Sequence, residues 1–299
     1  MMELRYEEIP DYVLPTNIRI STITVMIYIN RNIVFNEFFE LIPTIEYGEI
    51  GITKMKLFEK DEEKRITVHE KTSNGIVKYN VRKCFQNQVT IDFGFLNSNN
   101  EYKSINIFCF KEGTFKLAGF KSEEDIQIGS NELIKYIERN RRQIMDDDTT
   151  ISTLFVHSDE SVLKIEELRT IMFNTDFCVN FKLLRDVLFE MVCSEYNLVL
   201  SEYEPDIYPG VKIRYFYNKK KERKIKGICT CTSQCNGKGN GDGNGKCKMG
   251  TISVFQSGKI IITGANSYNQ VLEMYEFINK VLKENYEKVI YREPILESF

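Results

Sequence analysis

The chain has 299 residues, 42% hydrophobic and 28% charged, which is the composition of a globular protein long enough for two ordinary domains. Its 40 Lys and Arg residues against 43 Asp and Glu residues give a formal net charge of -3. This balance excludes an overall cationic field for nonspecific binding to nucleic acid or anionic lipid, so such binding must be local. Because no long apolar run and no secretory signal occur, the sequence predicts an intracellular protein without membrane contact.

Alternating patterns of strand and helix run through the first half of the chain. In order they predict a strand at 18–25, a helix at about 34–42, and strands around 50–57, 66–69, 89–93 and 105–110. Another helix follows Ser122, which is a favourable N-cap residue because its side-chain oxygen can accept from a first-turn N–H, and three acidic residues come directly after it. The second half predicts a similar series, which ends in a long helix from about 268 to 285.

One pattern occurs twice in the chain at a constant offset. The spacing F-x-x-G-x5-G-x-x-S begins at Phe110 and again at Phe255, and apolar residues at helical spacing follow both occurrences. A polar run at 146–150 separates the two halves. The sequence therefore predicts two direct repeats, one at 1–146 and one at 147–299.

The second repeat carries a Cys/Gly-rich insertion at 219–250. The insertion begins with a basic run at 219–226, which is either a solvated strand end or a segment that contacts phosphates. Four thiolates that bind zinc could close the following glycine-rich loop, since such a site stabilises a segment without a core of its own. Reduced surface thiols are the alternative, and disulfides are least expected in a reducing compartment. The predicted structural zinc ligands are Cys229, Cys231, Cys235 and Cys247.

Two segments of the second repeat resemble one protein family. Residues 254–265 resemble the strand-turn-strand signature of the TATA-box-binding protein, and residues 203–214 resemble the loop and strand that precede it. The second segment keeps Tyr-Glu-Pro, Pro-Gly and Arg214 in register. The insertion and the pI near 5.7 make the chain similar to divergent TATA-box-binding-protein-like transcription factors of large DNA viruses.

The resemblance implies a fold, a function and partners. The fold would be α+β, with two direct repeats forming one curved antiparallel saddle and helices on its convex face. The concave face would bind double-stranded, AT-rich promoter DNA in the minor groove, where aromatic side chains wedge between base steps. The monomeric factor would recruit a transcription factor IIB-like protein and RNA polymerase. It would act in the host cytoplasm or virion if viral, and otherwise in the nucleus.

The resemblance also assigns roles to particular residues. By motif position, the wedge pairs would be Tyr208 with Phe255 in the second repeat and Phe110 with Phe85 in the first. The remaining positions that match the family's DNA-binding residues are Asn17, Arg214, Lys259 and Thr263. In the family, an acidic loop binds transcription factor IIB, and its counterparts in this chain are Glu204, Asp206 and Ile207.

Other features favour a second hypothesis. Glu167 stands where the family's second strand-borne Asn would be, and Ala118 replaces a Thr in the first repeat. A carboxylate only accepts hydrogen bonds, so it has no donor for the acceptors of the minor groove. The alternative is a saddle-fold interaction scaffold of a viral transcription complex with weak or no DNA binding. Since the chain has only two histidines and no constellation of catalytic residues, we expect a non-enzyme.

Overall fold

The computed structural model describes residues 14–85, 87–147, 155, 162–198, 200–220 and 226–292. The chain forms two compact units. The first unit comprises Thr22–Ile171, and the second combines the residues up to Ser21 with those from Met172 onward. No helix in the described part of the chain is long and apolar enough to cross a membrane.

The first unit is a meandering antiparallel sheet with helices. Its hydrogen-bonded strand order is β4-β3-β2-β5-β6-β7-β1. The elements are β1 (Arg19–Ile29), α1 (Phe35–Leu41), β2 (Gly51–Lys60), β3 (Ile66–Thr72), β4 (Gly75–Val81), β5 (Val89–Leu96), β6 (Tyr102–Cys109), β7 (Thr114–Phe120) and α2 (Glu123–Asp147).

The second unit is smaller in strand number but similar in plan. Its strand order is β8-β11-β10-β9, and every pairing in it is antiparallel. The elements are β8 (Ile165–Cys178), α3 (Arg185–Ser194), β9 (Val211–Tyr217), β10 (Lys248–Val254), β11 (Lys259–Ala265), α4 (Tyr268–Glu284) and α5 (Tyr286–Val289). The strands β1 and β8 each cross a boundary between the units.

Alternation along the strands decides which face of each sheet is buried. In β6 of the first unit, Ile105 and Ile107 are buried, while Asn106 and Phe108 between them are half-buried. The buried face of this unit packs against α2, and that of the second unit packs against α4. We call the other face of each sheet the open face, because the helices of the unit leave it uncovered.

The structure confirms the α+β class, the antiparallel sheets and the helices on one face. Ser122 caps α2 as predicted, since its Oγ accepts a hydrogen bond of 3.1 Å from the main-chain N–H of Asp125. The strand β4 was not predicted, because it is exposed on both faces and therefore shows no alternation. The helix α2 runs through the predicted repeat boundary to Asp147, and residues 148–150 of the predicted junction lie outside the described residues. The division at 146/147 therefore stays a prediction.

Candidate nucleic-acid interface and cysteine cluster

Two of the predicted wedge residues form a ring pair in the second unit. Tyr208 lies in the loop before β9, and Phe255 follows the last residue of β10. Their ring centroids are 5.6 Å apart with an interplanar angle of 61°. Gly210 is needed beneath them, because an added Cβ would lie 2.9 Å from the Tyr208 ring and 3.1 Å from the Phe255 ring. On another side, the Lys212 ammonium lies 4.6 Å from the Tyr208 ring centroid.

The turn that carries Phe255 requires glycine at a second position. Gly258 has φ +85°, and an added Cβ would lie 2.2 Å from the carbonyl oxygen of Val179. Phe255 closes the turn on both sides, since its N–H donates to Lys259 O and its carbonyl accepts from Gly258 N, both at 3.0 Å. The glycine three residues after Phe255 in the F-x-x-G pattern is therefore required by the backbone geometry of the turn.

The first unit builds the same turn around Phe110. The Phe110 N–H donates to Thr114 O at 2.8 Å, and its carbonyl accepts from Gly113 N at 3.2 Å. Gly113 has φ +72°, and a Cβ there would lie 1.9 Å from the carbonyl oxygen of Arg31. Phe110, like Phe255, is half-buried. In the part of the first unit that the structure describes, the corresponding ring pair is not formed. Phe85, the predicted partner of Phe110, is 82% exposed, and among the described residues no aromatic ring packs against it.

Several of the predicted DNA-binding residues share the open face of the second unit. The strand registers place Arg214 opposite Thr251, and Thr251 opposite Thr263. Arg214 Nη1 donates to Thr251 Oγ1 at 2.8 Å. The next row across the sheet places Ser253 opposite Ile261, and Ile261 opposite Asp176.

Asp176 is a buried acid that the sequence analysis did not identify. Arg19 Nε donates to its Oδ1 at 2.8 Å, Ser21 Oγ donates to the same oxygen at 3.2 Å, and Lys259 Nζ lies 3.6 Å from its Oδ2. The hydrogen bonds from Arg19 lower the pKa of Asp176 to about 2, and Ser21 and Lys259 act in the same direction. The carboxylate is therefore ionised at neutral pH. It offsets the charges of two cations near the open face, one of them the predicted DNA contact Lys259.

Other cations near the open faces also have acidic partners within their own unit. The pairs, with N···O distances of 2.8 to 3.8 Å, are Arg214 with Glu202, Lys212 with Glu202, Lys54 with Asp92, Lys56 with Glu70, and Arg169 with Glu167 through Nη2. The Glu167 carboxylate, which would find no hydrogen-bond donor in an AT-rich minor groove, accepts hydrogen bonds from Arg169 instead. No sequence pattern signalled these pairs, apart from Arg169 close to Glu167, because the partners come from different strands.

The remaining predicted site residues are exposed. Asn17 precedes β1 and lies at the surface of the second unit. The loop before β9 turns where the carbonyl of Glu204 accepts from the N–H groups of Ile207 and Tyr208, at 3.0 and 2.8 Å. The side chains of Glu204 and Asp206 are exposed, and Ile207 is 79% exposed. This acidic loop is therefore exposed at the surface of the second unit, where another protein could contact it.

The four predicted zinc ligands converge. The Sγ atoms of Cys229, Cys231, Cys235 and Cys247 all lie within 4.8 Å of one another. The Sγ of Cys247 is 3.4 Å from that of Cys231 and 3.8 Å from that of Cys229. In a tetrahedron with Zn–S bonds of about 2.3 Å, sulfur atoms are about 3.8 Å apart. The cluster therefore fits a tetrahedral four-thiolate metal site.

Neighbouring groups donate hydrogen bonds to two sulfur atoms of this cluster, those of Cys247 and Cys231. Asn218 Nδ2 donates to Cys247 Sγ at 3.4 Å and to Gly243 O at 2.8 Å. A hydrogen bond from the main-chain N–H of Gly245 lowers the pKa of Cys231 to about 7. Burial raises the pKa of Cys247 to about 12, which a bound cation would reverse by stabilising the thiolate.

The glycine-rich insertion is better packed than the sequence suggested. The sequence indicated a glycine-rich loop without a core of its own, and the structure shows that its main chain is paired: Gly239 N donates to Cys247 O at 3.0 Å and Gly241 N donates to Lys246 O at 2.7 Å. Gly241 also lies against the Tyr217 ring, where a Cβ would be 2.4 Å from the ring. Small residues are needed because the main chain doubles back closely on itself. Residues 221–225 of the basic run lie outside the described residues.

Comparisons with known proteins point to one group. No family model matches the sequence. A "TATA-box-binding protein-like" protein of Acanthamoeba polyphaga mimivirus is 30% identical over 210 residues, which are 69% of this chain and 50% of the relative. The chain thus spans about half the length of the curated relative it matches. The solved TBP structure of Methanococcus jannaschii aligns with 90% of this chain and 99% of that chain, with 15% identity and a TM-score of 0.46.

Proposed function

The chain is a divergent TATA-box-binding-protein-like protein, and on that premise we propose that it is a transcription initiation factor that binds promoter DNA. The DNA would lie along the open faces, with its AT-rich minor groove towards the sheets. The observation that carries this proposal is the Tyr208–Phe255 ring pair, which is half-exposed and supported on Gly210. An aromatic pair that is rigidly placed at the end of a strand can enter a base step without reorganising first.

The DNA-binding proposal is tested by titration and bending. Fluorescent AT-rich and GC-rich duplexes are titrated at about 50 and about 200 mM salt, because phosphate contacts make affinity fall with salt. Tyr208→Ala with Phe255→Ala should reduce bending of an end-labelled duplex. The matched control is Tyr268→Ala, which removes a partly exposed ring at the start of α4. If neither duplex binds in a saturable, salt-dependent manner, the proposal is overturned.

The second candidate is an interaction scaffold that belongs to a transcription complex and binds DNA weakly. The observation that favours it is the pairing of open-face cations with acids, above all Arg19 and Lys259 with Asp176. A cation that is already paired gains less from a phosphate, because the acid must first be displaced or must remain as a repelling charge. Strong binding to a transcription protein together with no DNA binding would select this candidate.

We also propose that the insertion binds one structural zinc ion. The support is the convergence of the four Sγ atoms within 4.8 Å and their separations close to those of a tetrahedral site. Four protein ligands would leave no open position, so the ion would hold the insertion together and would take no part in catalysis. Metal analysis of the purified protein should give about one zinc per chain. Metal-free protein with four titratable thiols in the insertion would refute the site.

We propose that the acidic loop before β9 binds a transcription factor IIB-like protein, which would bring RNA polymerase to the promoter. Glu204, Asp206 and Ile207 are exposed on this loop and carry two negative charges beside an apolar side chain. Glu204→Arg with Asp206→Arg should abolish pull-down of the cognate IIB-like factor. Glu62→Arg with Glu63→Arg, in the exposed turn before β3, is the matched control. Unchanged pull-down by the loop variant would show that the loop is not the docking site.

The relationship to TATA-box-binding-protein-like proteins also supports proposals on activity, oligomeric state and location. We propose no enzymatic activity and no membrane partner, and we propose that the protein acts as a monomer. If the chain is viral, as its mimivirus relative is, its place is the host cytoplasm or the virion, and otherwise the nucleus. Sedimentation of the purified protein with and without a duplex tests the monomeric state directly.

A further inference from the structure

The first unit carries a β-hairpin that has no counterpart in the described part of the second unit. The strands β3 and β4 pair over seven residues, from Ile66 opposite Val81 to Thr72 opposite Gly75. Among the strands that the structure describes, β4 stands at the end of the order and has β3 as its one neighbour. In an antiparallel edge strand, every second residue directs its main-chain N–H and C=O away from the sheet. The outer edge of β4 can therefore accept another strand.

The side chains of β4 are unusually exposed for a strand of this composition. Six of its seven residues are exposed. They include Val77 at 63%, Ile76 at 52% and Tyr79 at 39%. Apolar side chains therefore project from both faces of the strand. Edge strands that must stay unpaired are commonly short, interrupted by proline, bulged or protected by charged side chains, and of these features β4 has only the single charged residue Lys78.

The segment 75–85 itself carries only positive charge, and the carboxylate of Glu70 on β3 beside it accepts a hydrogen bond of 2.9 Å from the Tyr79 hydroxyl. Residues 75–85 contain Lys78, Arg82 and Lys83 and no acidic residue, and all three cations are exposed. Among the described residues, no carboxylate lies within ion-pair distance of these three, whereas Lys56 on the neighbouring β2 is paired with Glu70. The edge therefore combines free strand hydrogen-bonding groups, apolar side chains and a net charge of three positive units.

We propose that the β4 edge is a docking site for an acidic, extended segment of a partner protein, which adds to the sheet as a further antiparallel strand. Main-chain hydrogen bonds to β4 would supply affinity, and apolar residues at alternate positions of the partner would pack on Val77 and Tyr79. Carboxylates between them would share the face of Lys78, and the positive charges of Arg82 and Lys83, just beyond the end of β4, would attract the acidic segment. The partner site borders the open face of the first unit, since the strand registers place Val77 opposite Glu70 and Glu70 opposite Lys56. The predicted DNA contact Phe85 follows Lys83 by two residues, so a bound partner strand and DNA would compete for this end of the unit.

The test uses the full-length protein and a fluorescent peptide in which Asp or Glu alternates with Val or Ile. Binding is measured by anisotropy. Lys78→Glu with Arg82→Glu and Lys83→Glu should weaken peptide binding at least about tenfold, because like charges then face each other across the pair. The matched control reverses three exposed lysines that have no ion-pair partner among the described residues and lie outside β4, which are Lys164, Lys220 and Lys238. That control should bind the peptide like the unaltered protein, and both variants should melt as single transitions close to it.

A second peptide separates strand addition from simple charge attraction. It has the same charges, but proline replaces the apolar residues, which removes half of the main-chain N–H donors and disfavours a paired β-strand. We expect it not to bind. Equal binding of both peptides would overturn the proposal, as would no binding of the alternating peptide. Retained peptide binding by the charge-reversal variant, with loss of duplex DNA binding instead, would assign the hairpin to phosphate contacts and also overturn it.

Discussion

Replacing Asp176 with Asn tests whether the open face is held in an electrostatically balanced state. The substitution removes one negative charge while preserving the size of the side chain. Arg19 and Lys259 then lose the carboxylate that they contact, at 2.8 Å from Arg19 Nε and 3.6 Å from Lys259 Nζ. We expect two opposite effects, which are a loss of stability and a gain in affinity for DNA.

The loss of stability follows from the pKa of Asp176, which is lowered from 3.8 to about 2. At about 1.4 kcal/mol for each pH unit, the ionised carboxylate would stabilise the folded state by at most about 2.5 kcal/mol. Because the Arg19 guanidinium is largely exposed, solvent screening reduces the expected loss in Asp176→Asn to about 1 kcal/mol. A loss of that size lowers the melting temperature by about 2–4 °C.

The pH dependence gives the sign of the effect. A lowered pKa stabilises the folded state above the unfolded-state pKa, and this stabilisation is lost as the pH falls through about 4 towards about 2. The difference in unfolding free energy between the two proteins should therefore be constant above pH 5 and vanish near pH 2. Equal stabilities at pH 7, or a difference that persists at pH 2, would refute the reasoning.

The gain in affinity is measured with the same duplexes at several salt concentrations. Two released cations can contact phosphates, so the slope of log affinity against log salt should become steeper by about 1 to 2. Asp242→Asn is the matched control, since it also removes one carboxylate but releases only Lys219 in the insertion. If Asp176→Asn and Asp242→Asn change the slope equally, net charge and not the open face is responsible.

Three further predictions concern single side chains. Cys247→Ser should abolish zinc binding and increase proteolysis within the insertion, seen by mass spectrometry, while the main melting transition stays in place. Lys71→Met should lower the free energy of urea unfolding by about 1–2 kcal/mol, because Lys71 Nζ donates to three carbonyls at the end of α1, at 2.8 to 2.9 Å. Lys78→Met, at an exposed position on β4, should change it little. Gly258→Ala should cost at least about 2 kcal/mol, since its φ is positive and the Cβ meets main-chain oxygens. Gly210→Ala should leave the melting temperature nearly unchanged but reduce DNA bending, because its Cβ only displaces the two rings. Equal destabilisation by the two glycine substitutions would contradict this account.

The sequence by itself determined the features that depend on neighbouring residues. Alternation of apolar and polar residues predicted β1 and β6, and helical spacing after the N-cap Ser122 predicted α2. Both signals exist because an element that buries one face carries apolar residues at regular intervals along the sequence. The F-x-x-G spacing predicted the repeat, and the resemblance of residues 254–265 to a strand-turn-strand signature predicted the turn at Phe255; in both copies backbone sterics require the glycine. The cysteine spacing predicted the cluster, since the insertion brings its own four thiols together.

Only the tertiary structure decided which charges meet. Arg19 and Asp176 are 157 positions apart, and nothing in either local sequence indicates the other. Strand pairing brings them together, as it brings Glu202 to Arg214. The edge strand β4 was likewise invisible, because a strand without a buried face has no alternation to detect. Local sterics and burial periods are encoded in short segments, whereas the electrostatic balance of a sheet face depends on the register between distant strands.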